Sequence, residues 1–221
     1  MIPPTSIPRI YGIVPAAGLG RRMGRSKQTL PFEGTTIIGK IVRTLLDAEL
    51  DGVVVVTRSE LIPDLDLPID RRLAVAANND PECQMIDSIR IGLSKLWSDV
   101  PVLGFPQACE QIQGPRANES AGILVVPGDM PGLSVIACRL CVRSFREEPG
   151  RIVVAMYAGQ KGHPVIFPSA LRCEVDRLQG GLNLLIQHHP DRLRLVETND
   201  PGSIEDIDTW EQYRARTSGP E

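Results

Sequence analysis

Residues 9–34 read RIYGIVPAAGLGRRMGRSKQTLPFEG. A β-rich apolar segment, Arg9 to Val14, runs directly into a glycine-rich loop crowded with Arg21, Arg22, Arg25 and Lys27. A turn of this kind after a strand leaves backbone N–H groups open to phosphate oxygens. Gly18 and Gly20 remove the side chains that would block the approach. Two common phosphate-binding templates fail here. The dinucleotide fingerprint needs glycine where Met23 stands, and in the P-loop pattern glycine, lysine and Ser/Thr are contiguous, whereas Arg25 and Ser26 separate Gly24 from Lys27. What remains is a phosphate loop of another kind, in which guanidinium forks and a lysine point charge meet an extended polyphosphate. The plainer reading is a solvated turn with surface cations.

Outward from this loop, short β-type runs alternate with helical stretches. TTIIGKIVRTLLDAEL has helical apolar spacing with Ile37, Ile38, Ile41, Leu45 and Leu46 inward. GVVVVT is a continuous apolar run, the mark of a strand buried on both faces. LAVAA, the helical QMIDSIRIGLSKLW, the strand GILVVP and the helix SVIACRLCVRSFREE come next. RIVVAMY and HPVIF form two strands, antiparallel around the tight AGQKG connection, and RLRLVET with TWEQYRAR closes the chain. The expected fold is a three-layer α/β domain: a mostly parallel, twisted, Rossmann-like sheet covered on both faces, with an antiparallel edge portion. One domain over 1–221 is expected, with loose ends at 1–8 and 217–221 and a surface insertion at 101–120, where proline, glycine and polar residues show no period.

Composition narrows the partners. Of the 221 residues 42% are hydrophobic, enough for a substantial core, and the formal net charge is only −3. That balance argues against a general nucleic-acid or membrane-surface binder. The opening MIPPTSIP does not read as a signal peptide, no apolar run would span a bilayer, and five cysteines suit a reducing compartment. A cytoplasmic location is expected. Cys138 and Cys141 form a CxxC pair without a second pair, and on a helix they read as two small apolar residues.

Two acidic positions carry chemistry. Asp129 comes after the strand GILVVP at the edge where open α/β sheets bind ligands, with Pro131 stiffening the turn. Asp206 and Asp208, two apart in an extended run, point the same way. Asp129 and Asp208 converging on a triphosphate would suit Mg²⁺, which takes few protein oxygens alongside substrate phosphates. The competing readings are a turn-forming Asp129 and an Asp208 that caps the last helix in a box with Glu211. His188 and His189 end a helix, where a cation is favourable.

The order of residues in the opening loop resembles the signature of the molybdenum-cofactor nucleotidyltransferases, through Ala16, Ala17, Gly18, Gly20, Arg22, Met23, Gly24, Lys27, Leu30, Pro31 and Gly34. Ala17 is similar to the cytidylyl-transferring branch, whereas the guanylyl (GTP) branch tends to carry glycine there. Methylerythritol-phosphate cytidylyltransferases share the first half. NNDPECQMIDSIRIGL, ILVVPGDMPGLS, GQKGHPVIF and DIDTWEQY extend the resemblance in order over residues 9–213.

The resemblance implies a Mg²⁺-dependent transfer of CMP from CTP to a phosphorylated small-molecule acceptor, with molybdopterin the first candidate and pyrophosphate the leaving group. It implies Arg22, Lys27 and Asp129 as catalytic; Ala16, Ala17, Gly18, Leu19, Gly20, Asn79, Gln84 and Ser88 as nucleotide contacts; Asp129 and Asp208 as metal ligands; and His163 on the acceptor side. It also implies transient contact with a molybdoenzyme or its insertion chaperone. One departure bears on the acceptor: where these enzymes carry a G-D-x-G-A-R segment, this chain reads QGGLN over 179–183. Another acceptor (a sugar phosphate, methylerythritol phosphate or phospholactate) and a non-catalytic nucleotide-binding accessory role therefore stay open.

Overall fold

A computed structural model describes residues 7–18, 23–24, 26–97, 114–115 and 120–217. The expected insertion at 101–120 lies almost wholly outside them, as do most of the expected loose ends. At the ends that are described, the carbonyl of Pro8 accepts from Arg146 Nε at 3.4 Å, and Thr217 closes the last helix with its hydroxyl donating to the Tyr213 carbonyl at 2.9 Å.

The chain begins with β1 (Arg9–Pro15) and a two-residue hairpin, β2 (Pro31–Phe32) and β3 (Thr35–Thr36). Helix α1 (Ile37–Asp47) is next, then β4 (Gly52–Thr57), β5 (Leu73–Ala77), α2 (Met85–Leu96) and β6 (Ala121–Val125). The second half holds α3 (Val135–Glu147), β7 (Ile152–Tyr157), β8 (Gln160–Pro168), α4 (Arg172–Val175), α5 (Leu182–His188), β9 (Leu193–Glu197) and α6 (Trp210–Thr217). Among the described residues no helix is long and apolar enough to cross a membrane.

Seven strands form one sheet in the order β5-β4-β1-β6-β8-β7-β9. β5, β4, β1 and β6 are mutually parallel, and β7 and β9 are parallel to each other. β8 is antiparallel to both β6 and β7. The antiparallel portion is thus that one reversed strand, set toward one edge with β7 and β9 outside it.

Burial of both sheet faces arises from the strand period of two. In β1, Ile10 and Val14 join the cluster under α1 and α3, while Tyr11 and Ile13 face the cluster under α2, α4 and α5. β4 divides likewise, Val53 and Val55 from Val54 and Val56, which is why an unbroken valine run suits a strand with two covered faces. The five apolar positions assigned inward on α1 are all buried, and Thr36 caps that helix by accepting from the Gly39 N–H. The sheet is therefore the middle of three layers.

The chain steps from β1 outward to β4 and β5, then returns through α2 to place β6 on the other side of β1. Strand order reverses between β1 and β6. In such sheets the crevice beyond the carboxyl ends at the reversal is where ligands sit.

Candidate active site

A cavity of about 450 Å³ opens at that reversal point. Its walls are the turn after β1 (15–18), Met23, Lys27 and Gln28 beyond it, the loop into α2 (81–85) with Ser88, the turn after β6 (127–129), and Asp208. The turns after β1 and β6 touch. Gly128 N–H donates to the Pro15 carbonyl at 3.0 Å, and a Cβ on Gly128 would lie 2.7 Å from the Ala16 Cβ. Glycine is required there for this close approach. Ala16 N–H in turn bonds Val56 O at 2.7 Å, and Thr57 Oγ1 donates to Ala16 O at 3.4 Å, which fixes the turn after β1 to β4.

Lys27 is the electrostatic centre. Its Nζ lies 3.1 Å from Asp129 Oδ2 and 2.5 Å from Asp208 Oδ1, and its side chain is 12% exposed. Burial works against the ammonium, but the hydrogen bonds and charges of Asp208 and Asp129 outweigh it and raise its pKa above the ordinary lysine value. Ile207 is buried and its N–H donates to the Asp129 carbonyl at 2.9 Å, which brings 206–208 beside the end of β6. Asp206 flanks it on the other side. Burial, then the neighbouring Asp208 and Asp129 charges, raise its carboxyl pKa against the pull of Lys27.

The cap of α6 is not Asp208. Thr209 Oγ1 accepts from Gln212 N at 3.2 Å, and Gln212 Oε1 accepts from Thr209 N at 2.9 Å and from Asp208 N at 2.7 Å. This is the reciprocal capping box one residue further on than the expected Asp208–Glu211 pair. Asp208 therefore does not cap the helix, and its carboxylate meets Lys27.

The loop into α2 supplies the opposite wall. Gln84 is the N-cap of α2, in a capping box with Asp87, and both Gln84 and Ser88 line the cavity. Asn79 does not: its Oδ1 accepts from Ser59 N at 2.9 Å and from Ser59 Oγ at 3.0 Å. The residue reaching Ser88 is its neighbour, buried Asn78, whose Nδ2 donates to Ser88 Oγ at 3.1 Å. Strand alternation carries the signal for it, because Ala74 and Ala76 of β5 face α2 and Asn78 continues their side. Sequence reasoning also left out Gln28, which is buried in the cavity wall and accepts a hydrogen bond from Ser26.

Leu19, Gly20 and Arg22 lie outside the described residues, while Ala16, Ala17 and Gly18 line the cavity. His163 lies outside the cavity walls. Its Nδ1 is 3.3 Å from the Val125 carbonyl, and burial pushes its pKa from 6.5 down to about 4, against that hydrogen bond. The β6–β8 pairing ends at Val125 opposite Val165, two residues beyond His163. QGGLN leads into α5, whose N-cap is Gly181.

Cys138 and Cys141 are fully buried on α3, with both thiol pKa values raised by burial, Cys141 to about 12. Inert packing fits them. His188 Nδ1 and His189 Nε2 sit 2.9 and 2.7 Å from the two oxygens of Glu174, tying the end of α5 to α4.

The donor set suits a small hard cation. Two carboxylates at one lip of the crevice suit a hard divalent cation of the kind that completes its shell with substrate oxygens and water. No group of three or more His, Cys, Asp or Glu among the described residues is arranged to hold a metal unaided.

A family described as the MobA-like NTP transferase domain matches residues 12–193. Nicotine blue oxidoreductase of Paenarthrobacter nicotinovorans is 29% identical over 223 residues, covering 95% of this chain and 98% of that protein. Purine catabolism protein PucB of Bacillus subtilis (strain 168) is 28% identical over 216 residues, covering 93% and 95%. In fold the chain is like Rv0371c of Mycobacterium tuberculosis H37Rv (TM-score 0.72, 24% identity, 96% of this chain and 99% of that one). A complex of that protein with manganese gives a TM-score of 0.67 at 24% identity, covering 95% and 98%.

Proposed function

This chain belongs to the MobA-like NTP transferase family, and from that premise we propose that it moves CMP from CTP onto a phosphorylated acceptor, releasing pyrophosphate. The observation that carries the reading is Lys27, held by Asp129 and Asp208 beside an amide-lined turn at the strand-order reversal.

An acceptor phosphate oxygen attacks the α-phosphorus. The new P–O bond forms as the bond from that phosphorus to the α,β-bridging oxygen breaks, and that oxygen departs with pyrophosphate. Such transfers ask the protein for position and charge neutralisation rather than covalent help. In this reading, Ala16, Ala17, Gly18, Leu19 and Gly20 offer backbone contacts to the triphosphate. Arg22 and Lys27 neutralise charge developing at the α- and β-phosphates. Gln84 and Ser88 serve base and ribose, and the base is assigned as cytosine from Ala17. Asp129 and Asp208 would hold Mg²⁺, a role to which the manganese bound by Rv0371c lends support. When bound, the cation supplies charge neutralisation on the phosphates. His163 lies on the acceptor side in this reading, and molybdopterin is the acceptor we assign, delivered in transient contact with a molybdoenzyme or its insertion chaperone.

A second reading is favoured by QGGLN, which lacks the acid and the arginine of the resembling enzymes: a nucleotide-binding accessory protein that performs no transfer. One experiment separates the two. The protein is incubated with CTP, GTP or ATP, Mg²⁺ and molybdopterin, and pyrophosphate is measured alongside thermal unfolding. Pyrophosphate with CTP is the expected result. A ligand at a hundred times its Kd adds about 2.7 kcal/mol of stability. Stabilisation without pyrophosphate selects the accessory role, and a preference for GTP overturns the cytosine assignment.

A further inference from the structure

In the free protein the two carboxylates assigned to the metal are already occupied by the chain's own cation. Lys27 Nζ is within hydrogen-bonding distance of both, and its stem is largely buried in the cavity wall. We propose that Lys27 keeps the place of the divalent cation between Asp129 and Asp208, and yields it readily when a triphosphate draws its ammonium away, so that the site takes the metal–nucleotide pair in preference to the metal alone. The inference rests on the nucleotidyl-transfer reading and adds the order of loading.

Charge and distance carry it. An ammonium at 2.5 and 3.1 Å satisfies both carboxylates, and a divalent cation would have to displace it while losing part of its own hydration, which Mg²⁺ gives up reluctantly. The displaced ammonium would then face that cation at close range in a partly buried site, where like charges repel strongly. A triphosphate removes the conflict by offering the ammonium anionic oxygens on the same wall, beside the turn at 15–18. Lys27 thus exchanges one set of anions for another while the carboxylates become available. The protein would thereby avoid holding metal without substrate.

The test uses Mn²⁺ as probe, monitored by water-proton relaxation enhancement, with wild type, Lys27→Met and Lys27→Arg, each alone and with a non-hydrolysable CTP analogue. Without nucleotide, Lys27→Met should bind Mn²⁺ about tenfold or more tightly than wild type, which is about 1.4 kcal/mol. Lys27→Arg, which keeps the cation, should stay near wild type. With the analogue, wild type should gain Mn²⁺ affinity and close most of the gap. Equal Mn²⁺ affinity of free wild type and free Lys27→Met overturns the inference while leaving nucleotidyl transfer standing. Failure of wild type to bind Mn²⁺ even with the analogue overturns the metal reading beneath it. If Lys27→Met does not fold, as judged by circular dichroism, wild type with and without the analogue still decides: tight binding of Mn²⁺ alone overturns the inference, and binding only with the analogue supports it.

Discussion

At the scale of single residues, the proposed transfer gives Lys27 a role the fold does not need. Partly solvated ion pairs contribute about 1 kcal/mol or less to stability, whereas one preorganised charge at a reacting centre is worth roughly 10²–10³ in turnover. Lys27→Ala should therefore lower kcat by about that factor and move the unfolding midpoint only slightly, as steady-state pyrophosphate release and urea titration would show. Some of these residues were legible in the sequence and some were not. Lys27 and Asp129 stand out because charge in a glycine-rich turn and an acid after an apolar run each have few structural uses. Asp208 was ambiguous for a physical reason. DTWE and TWEQ both satisfy a capping pattern one residue apart, and only the burial of Ile207 and the bonds of Thr209 with Gln212 decide which is used. Asn78 and Asn79 differ by one step of a strand, and that step exchanges the α2 face for a bond to Ser59.

Among the elements, α6 matters more than its composition suggests. It has no fully buried residue and only a faint apolar face, so its packing rests on the partly buried rings of Trp210 and Tyr213 against the core. Polar contacts fasten it to the segment after β1: Trp210 Nε1 donates to the Met23 carbonyl at 3.2 Å, and Tyr213 OH donates to the Pro31 carbonyl at 2.6 Å. The helix just after Asp208 thereby grips both sides of the segment bearing Lys27. Removing one such bond costs about 1 kcal/mol. Tyr213→Phe should accordingly raise the KM for nucleotide several-fold with little change in kcat and a shift of a few degrees at most in Tm. A kcat loss with unchanged KM would contradict this. The helix was readable from TWEQYRAR, but its attachment was not, since nothing in the local pattern names carbonyls some 180 residues away.

For the whole molecule, the sheet explains both where the crevice lies and how stability responds to acid. Runs such as GVVVVT announce central strands, yet the order of strands is long-range information, and the placing of reversed β8 between β6 and β7 comes from packing. His163, on β8, is the group to watch. Its pKa is about 4 in the folded protein against 6.5 ordinarily, with burial the main cause. A lowered folded pKa means the associated stability is complete above pH 6.5 and is lost as pH falls toward 4. The loss amounts to about 3 kcal/mol in full. Urea unfolding between pH 6.5 and 5, above the range where most carboxylates titrate, should show the onset of this loss in wild type. His163→Asn should flatten the curve there; an equally steep curve would place the titrating group elsewhere.

The contact between Gly128 and Ala16 has a mechanical consequence. The turns after β1 and β6 are bonded to each other and to β4 across the sheet, so they form one stationary jaw. On the facing loop Glu82 N donates to Asp80, Cys83 N to the Asp80 carbonyl and Gln84 N to Asp87. Under the proposed transfer the turns at Ala16 and Gly128 act as a fixed anvil, and amide exchange that stays constant there when CTP binds, while slowing on 81–85, is the expected signature.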